Sequence, residues 1–325
     1  MHYRKLGKTG LDVSIIGFGC NQIGSDKRGY KDFTLARDAI FFALDHGINY
    51  FDTADVYGDR KSEEWLGRIF GPKRSNVIIS TKAGLTGDGG RSGHPDHLRR
   101  SLENSLKKLK TDYVDVFYLH RPDPKIPIAE SISAIDKLIQ EGKARFGGVS
   151  QLDKEDLETI KTSDAISCVQ YCLNFFNFQT TYSVRSFVNS AQYGFSTFSP
   201  FASGWILKKK YLSLTESQFP FLKPNYYRPE FPLYKRIVEL AQEYKTNIHQ
   251  LAISWALNHQ DVHSVICGTA SIDQLQENIK AVDLHVAPEL IEKVNNVIKK
   301  YAVEKRRIRK VIWGVGMKLR KVLRG

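Results

Sequence analysis

Four residues among the first 120 have side chains that combine into one reaction. Asp52, Tyr57, Lys82 and His120 supply a carboxylate, a phenol, an ammonium and an imidazole. A phenol delivers a proton to a carbonyl oxygen only if its pKa falls from about 10 towards neutrality. A neighbouring ammonium favours the phenolate and lowers that value. A carboxylate holds the ammonium in place and offsets the cost of burying it. An imidazole beside the phenol donates to the same oxygen and orients the molecule that carries it. Singly, each residue has an ordinary reading. Asp52 is then a helix cap, Tyr57 a packing aromatic, Lys82 a solvated strand end and His120 a satisfied core group. What separates the two readings is where the chain places them.

Apolar runs of strand length recur at 15–20, 49–52, 77–82, 114–120, 145–150, 166–171, 195–199 and 264–268. Helix-like segments alternate with them at 32–46, 61–70, 96–109, 128–141, 153–161, 181–193, 232–259 and 271–281. In 96–109, Leu98, Leu102, Leu106 and Leu109 fall on one face, with Asp96 as the expected N-cap after Pro95. Such alternation predicts right-handed βαβ units and a parallel sheet. Eight repeats fit a closed (β/α)₈ TIM barrel in a single α/β domain better than an open doubly wound sheet. The turn after the first strand, Gly17-Phe18-Gly19-Cys20-Asn21-Gln22, also lacks the third glycine of a dinucleotide-binding open sheet. A barrel builds its active site at the carboxyl ends of its strands. There the sequence places Asp52 with Tyr57, Lys82, His120, Ser150 with Gln151, Gln170, Ser199 and Thr269. Four chemistry-bearing residues at successive strand ends favour the reactive reading.

Composition sets the outer limits. Charged residues make up 26% and hydrophobic ones 42%, which excludes a disordered or collagen-like chain. No apolar run approaches the roughly 20 residues of a membrane-spanning helix. The opening MHYRK has no signal-peptide core, so the expected location is cytoplasmic. Cys20, Cys168, Cys172 and Cys267 follow no zinc spacing and read as reduced, buried thiols, with no metal expected. The net charge of +13 is uneven: residues 301–325 hold nine Lys/Arg and one Glu, a net +8 that leaves +5 for the other 300. A body so mildly basic speaks against nucleic-acid binding.

The sequence resembles the aldo-keto reductases over roughly residues 2–300. The motifs are LGKTGLDVSIIGFG at 6–19, HGINYFDTADVYGDRKSEEWLG at 46–67, ISTKAG at 79–84 and DVFYLHRPDP at 115–124. GGVS at 147–150, VQYCLN at 169–174, FSPFASG at 198–204 and CGTASIDQLQEN at 267–278 follow. The resemblance implies a (β/α)₈ barrel that binds a nicotinamide dinucleotide and reduces a small-molecule aldehyde or ketone. It makes Tyr57 the general acid, Lys82 and Asp52 its tuning pair, and His120 the group that orients the carbonyl. Ser150, Gln151 and Gln170 fall at the nicotinamide carboxamide, and Phe198 under the ring. Ser199, Phe201 and Gly204 fall near the pyrophosphate. Gly268, Thr269, Gln274, Glu277 and Asn278 surround the adenosine and its 2′-phosphate. Three positions depart from the commoner pattern: Gln151 replaces Asn, Phe198 replaces Tyr and Gln274 replaces Arg. The last removes a charge-assisted bond. NADP(H) is expected in preference to NAD(H), with weakened selectivity. The family also contains cofactor-binding partner subunits with little turnover, which is the alternative function.

Two segments stand apart. Residues 202–230 form a long aromatic-rich loop that reads as functional or as a packed lid. In the tail, 301–325, Ile308, Val311, Ile312, Val315, Leu319, Val322 and Leu323 trace one face of a helix with Lys and Arg opposite. A basic amphipathic helix of this kind, over 305–325, suits a peripheral membrane contact at the inner face or an acidic partner. A helix folded back on the barrel is the other reading. The expected division is therefore a barrel over 1–300 and a tail over 301–325.

Overall fold

The computed structural model describes residues 1–26, 29–86, 89–161, 163–207, 231–283 and 286–301. Eight parallel strands close into a barrel. They are β3 (Ile16–Gly19), β4 (Tyr50–Asp52), β5 (Ile78–Ala83), β6 (Val114–Leu119), β7 (Ala144–Ser150), β8 (Ile166–Cys172), β9 (Gly194–Phe198) and β10 (Ser264–Gly268). Each pairs with the next in sequence, and β10 returns to β3. Every residue of β4, β5, β6 and β8 is buried, which is why these strands read as continuous apolar runs and not as alternating ones. Helices α1 (Phe33–Asp45), α2 (Ser62–Phe70), α3 (Pro95–Leu109), α4 (Ile128–Gln140), α5 (Lys154–Ile160) and α6 (Phe178–Ala191) follow the strands in turn. So do α7 (Phe231–Glu243), α8 (Ile248–Leu257), α9 (Ile272–Lys280) and α10 (288–301). The expected (β/α)₈ barrel is the fold.

Three local features differ from the sequence reading. A short antiparallel hairpin, β1 (Tyr3–Lys5) with β2 (Asp12–Ser14), precedes the barrel. Its Leu6, Leu11 and Val13 cluster with Tyr50, Ile78, Val116, Tyr118, Cys168 and Ile266, so they close the floor where the strands begin. The segment 232–259 is two helices. Lys245 turns left-handed at φ 52°, and the Asn247 side chain accepts from Gln250 N at 2.7 Å to start α8. The apolar period runs through both pieces and hides the break. In α3 the four leucines are buried as expected, but the cap is His94, whose Nδ1 accepts from Asp96 N at 3.2 Å. Pro95 then opens the helix, where its missing N–H costs nothing.

Residues 208–230 of the aromatic loop and the tail beyond residue 301 lie outside the described residues. All four cysteines are buried and unbridged. Among the described residues no group of three or more His, Cys, Asp or Glu is placed to hold a metal. No described helix is long and apolar enough to cross a membrane.

Candidate functional site at the carboxyl ends of the barrel strands

Asp52 ends β4, Lys82 lies near the end of β5, and His120 follows β6, so adjacent strands bring these three together. The Lys82 ammonium donates to Asp52 Oδ2 at 2.6 Å and to the Thr53 carbonyl at 2.8 Å. Asp52 Oδ1 accepts from Ser80 Oγ at 2.7 Å and Gln170 Nε2 at 2.9 Å. Lys82 is 1% exposed and Asp52 3%, a pair that is tenable only because both charges are so fully partnered.

Tyr57 comes from the turn after β4. Its position depends on Gly58, which has φ +57°, and a Cβ there would stand 1.7 Å from the Ile23 carbonyl oxygen. Only glycine lets the chain pass so close. The Tyr57 ring lies 4.9 Å from Lys82 Nζ and meets the His120 ring edge-on, with centroids 5.6 Å apart and planes at 78°. The four residues singled out in the sequence are therefore adjacent.

The electrostatics assign different capacities. Burial pulls the Lys82 ammonium down, but Asp52 and Tyr57 together hold it above its ordinary value. Burial pushes the Tyr57 phenol up, and Lys82 pulls against it without cancelling it. The phenol therefore stands above its ordinary value in this state and not below it, against the expectation from the sequence; Lys82 supplies only the opposing pull, which favours the phenolate once the proton has left. Burial, then Lys82 and Arg121, pull the His120 imidazole down to about 2. His120 is neutral at every working pH, so it orients by hydrogen bonding and does not serve as a cationic acid.

The remaining predicted residues occupy the other arc of the rim, from β7 to β10. Ser150 and Gln170 are register partners, and Phe198 pairs with Cys172 and Ile266. Gln151 (φ 59°) and Ser199 (φ 57°) both turn left-handed where the strands end, which aims backbone groups around the rim. Gln170 Nε2 is engaged with Asp52, so a carboxamide held there would meet its Oε1. Thr269 Oγ1 bonds the Tyr30 hydroxyl at 3.1 Å. Gln274 turns back, its Oε1 accepting from Ala270 N at 2.8 Å, and Glu277 pairs with Lys280 at 2.8 Å. Both side chains stay at the surface of α9, each in a local contact. Phe201 is buried against the His249 ring at 4.4 Å, and Gly204 stands at φ +80° with open space where a Cβ would be.

A dinucleotide fits this arc. Asn278 Nδ2 and Gln22 Oε1 are buried there without a hydrogen-bond partner among the described residues. A Cβ on Gly268 would stand 2.8 Å from the Gln22 amide, so the β10 rim stays bare backbone. Sequence reasoning missed Ser80, which anchors Asp52, and His249, whose Nε2 meets Asn278 Oδ1 at 2.6 Å. Asn174, which donates to the Ser199 carbonyl at 3.0 Å, sits inside the quoted VQYCLN and was findable there.

The aldo/keto reductase family model matches residues 15–299. A probable voltage-gated potassium channel subunit beta from Arabidopsis thaliana is 31% identical over 92% of this chain and 97% of its own length. Probable aldo-keto reductase 1 of Glycine max is 27% identical over 89% of this chain and 87% of its own. The solved holo form of an aldo-keto reductase from Bacillus halodurans superposes with a TM-score of 0.78 at 27% identity, covering 91% and 96% of the two chains. With the barrel, the strand-end cluster and a match over most of its length in hand, the chain belongs to the aldo/keto reductase family of oxidoreductases.

Proposed function

We propose that the chain reduces an aldehyde or ketone to an alcohol with a nicotinamide dinucleotide, and that Tyr57 delivers the proton. The observation that carries this reading is the fully partnered Asp52–Lys82 pair, 2.6 Å apart, beside Tyr57 at the rim of the barrel. When bound, a reduced nicotinamide supplies the hydride. His120, neutral, holds the carbonyl oxygen through a ring N–H. Tyr57 donates its hydroxyl proton to that oxygen. The phenolate left behind lies beside an ammonium that Asp52 keeps charged, so the developing charge is met by a preorganised cation.

Ser150, Gln151 and Gln170 Oε1 would hold the carboxamide, with Phe198 under the ring. Ser199, Phe201 and Gly204 would line the pyrophosphate. Gly268, Thr269, Asn278 and the amino end of α9, with Gln274 and Glu277 beside it, would take the adenosine and its 2′-phosphate. NADP(H) is the preferred form, with the phosphate held by neutral donors. The place of action is the cytoplasm.

A second reading is a partner subunit of the same fold. The relationship to a probable channel β subunit favours it. The basic tail, 301–325, treated as a unit apart from the barrel at 1–300, would supply a peripheral membrane or acidic-partner contact through 305–325. The deciding experiment follows NADPH absorbance with a panel of neutral and charged aldehydes and ketones. Turnover supports the reductase. Tight NADPH binding with no oxidation by any member supports the partner subunit. Cosedimentation with anionic vesicles, lost on truncation after Tyr301, tests the tail, because each basic residue at such a surface contributes about 1 kcal/mol.

A further inference from the structure

A second group of ionisable side chains lies outside the barrel wall, behind the tetrad. Lys82 points inward to Asp52, so its neighbour Thr81 points outward, where its Oγ1 donates to Glu63 Oε1 at 2.6 Å. Asp55 N donates to the Lys82 carbonyl at 3.1 Å. The Glu63 carboxyl and the Asp55 backbone amide thus bond the part of β5 that carries Lys82. Both also face one cavity of about 260 Å³ beside α3. Glu63 is 1% exposed and Asp55 9%. Among the described residues, Oε2 of Glu63 and Oδ1 of Asp55 are buried without a donor at hydrogen-bond distance, with the Ser105 hydroxyl a further neutral group drawing on Glu63.

Two orphaned carboxyl oxygens in one cavity are costly if both groups are ionised and tenable if one carries a proton. We propose that Asp55 and Glu63 hold one proton between them and in that state position the β5 end that carries Lys82. They are positioning residues, since neither touches the reacting atoms.

The groups facing the pair come from three elements. Arg60 lies in the turn after Tyr57, Lys107 and Lys108 on α3, and Lys82 on β5. Lys108 Nζ stands 3.8 Å from Glu63 Oε2, too far for a hydrogen bond. These cations do not hold the pair doubly ionised. Burial, with Glu63 adding to it, pushes the Asp55 carboxyl up to about 7. Burial also raises Glu63, against the pull of Thr81, Ser105 and Lys108. Loss of the shared proton leaves two buried negative charges, draws Glu63 towards Lys108 and weakens its bond to Thr81.

A carboxyl raised in the folded state favours folding while protonated. Its contribution is full below the unfolded value near 4 and is lost as pH rises to about 7. Asp55→Asn cannot ionise, so it escapes that loss. Its Tm relative to wild type should gain at least about 2 °C between pH 5 and pH 8. Glu63→Gln should move the same way. A Tm difference that stays flat with pH in Asp55→Asn overturns the proposal, even if Glu63→Gln fails to fold. The positioning role rests on the carbonyl-reductase reading and has its own readout. Wild-type kcat/KM should fall across an ionisation near pH 7 that Asp55→Asn abolishes, and an identical profile in the variant overturns that role. Absence of wild-type turnover would instead defeat the reductase reading, leaving the Tm arm to decide on the shared proton.

Discussion

The rim of the barrel divides into two arcs built on different principles. From β4 to β6 a charged pair is closed by its neighbours, Lys82 with Asp52 and Thr53, Asp52 with Ser80 and Gln170, and beside it the neutral His120 keeps its Nδ1 buried without a hydrogen-bond partner among the described residues. From β7 to β10 they are mostly neutral, and they sit on left-handed turns or close local caps, as Gln274 does with Ala270. Some there, such as Asn278 Nδ2, have no partner among the described residues. The Lys82–Asp52 pair of the first arc is complete in itself, as machinery preorganised for charge must be. The second is a set of donors and acceptors suited to a long, flexible ligand. Gln170, bonded to Asp52 and paired with Ser150, belongs to both.

The sharpest way to break the first arc is Lys82→Met. It leaves the Asp52 carboxylate buried without its cation, a loss of about 3–5 kcal/mol for a buried pair. Urea unfolding should show that drop, and Lys82→Met/Asp52→Asn should recover part of it by removing the stranded charge. If the single variant is as stable as wild type, the pair is not the anchor of this arc. Binding of NADPH to the second arc should suffer far less than stability does.

Tyr57→Phe separates chemistry from structure. It removes the hydroxyl proposed as proton donor while keeping the ring that meets His120 edge-on. Turnover should fall at least about a hundredfold, the scale of a lost general acid. The NADPH dissociation constant should hold within about twofold, since no nucleotide-arc group changes. Near-normal carbonyl reduction by the variant would remove Tyr57 from the mechanism.

The two arcs also differed in legibility. The tetrad is readable because packing alone seldom puts charged and phenolic side chains at the ends of the apolar strands of a barrel. Asp52, Lys82 and His120 needed only the strand period to be placed on neighbouring strands. Ser80 was hidden because a serine inside a strand announces nothing until its partner across the sheet is known. Glu63 and His249 act through contacts between elements far apart in sequence, which periodicity does not encode. Asn247 was hidden for the opposite reason, because the apolar stripe of α7 and α8 runs past it without a change of phase. The hairpin of β1 and β2 escaped because three-residue strands leave no period to count.

In the second arc, Gln274 is the position that tests how a 2′-phosphate would be held. Its side chain closes a local cap at Ala270, so it offers no charge outward. Gln274→Arg should raise the ratio of NADP(H) to NAD(H) affinity by about tenfold, the low end for a charge-assisted bond at an exposed position. Titrating both cofactors by quenching of intrinsic fluorescence gives the ratio directly. An unchanged ratio would mean that position 274 does not face the ribose, and that selectivity rests on the backbone at the start of α9.

The smallest effect should come from His249, and it tests whether the second arc is ordered before a ligand arrives. Burial holds its imidazole below the usual histidine range, so at neutral pH the ring is uncharged. Its Nε2 meets Asn278 Oδ1 at 2.6 Å, and its face packs edge-on with Phe201 at 4.4 Å. With Oδ1 taken by the ring N–H, the Asn278 amide presents Nδ2 as a free donor. His249→Phe keeps the aromatic contact with Phe201 and deletes only the hydrogen bond. A neutral bond of this kind is worth about 0.5–1.5 kcal/mol. NADPH affinity should therefore weaken by about threefold, and kcat at saturating cofactor should stay level, because the tetrad lies on the opposite arc. A fall in kcat instead would show that the two arcs are mechanically joined, with Gln170 the residue through which they meet.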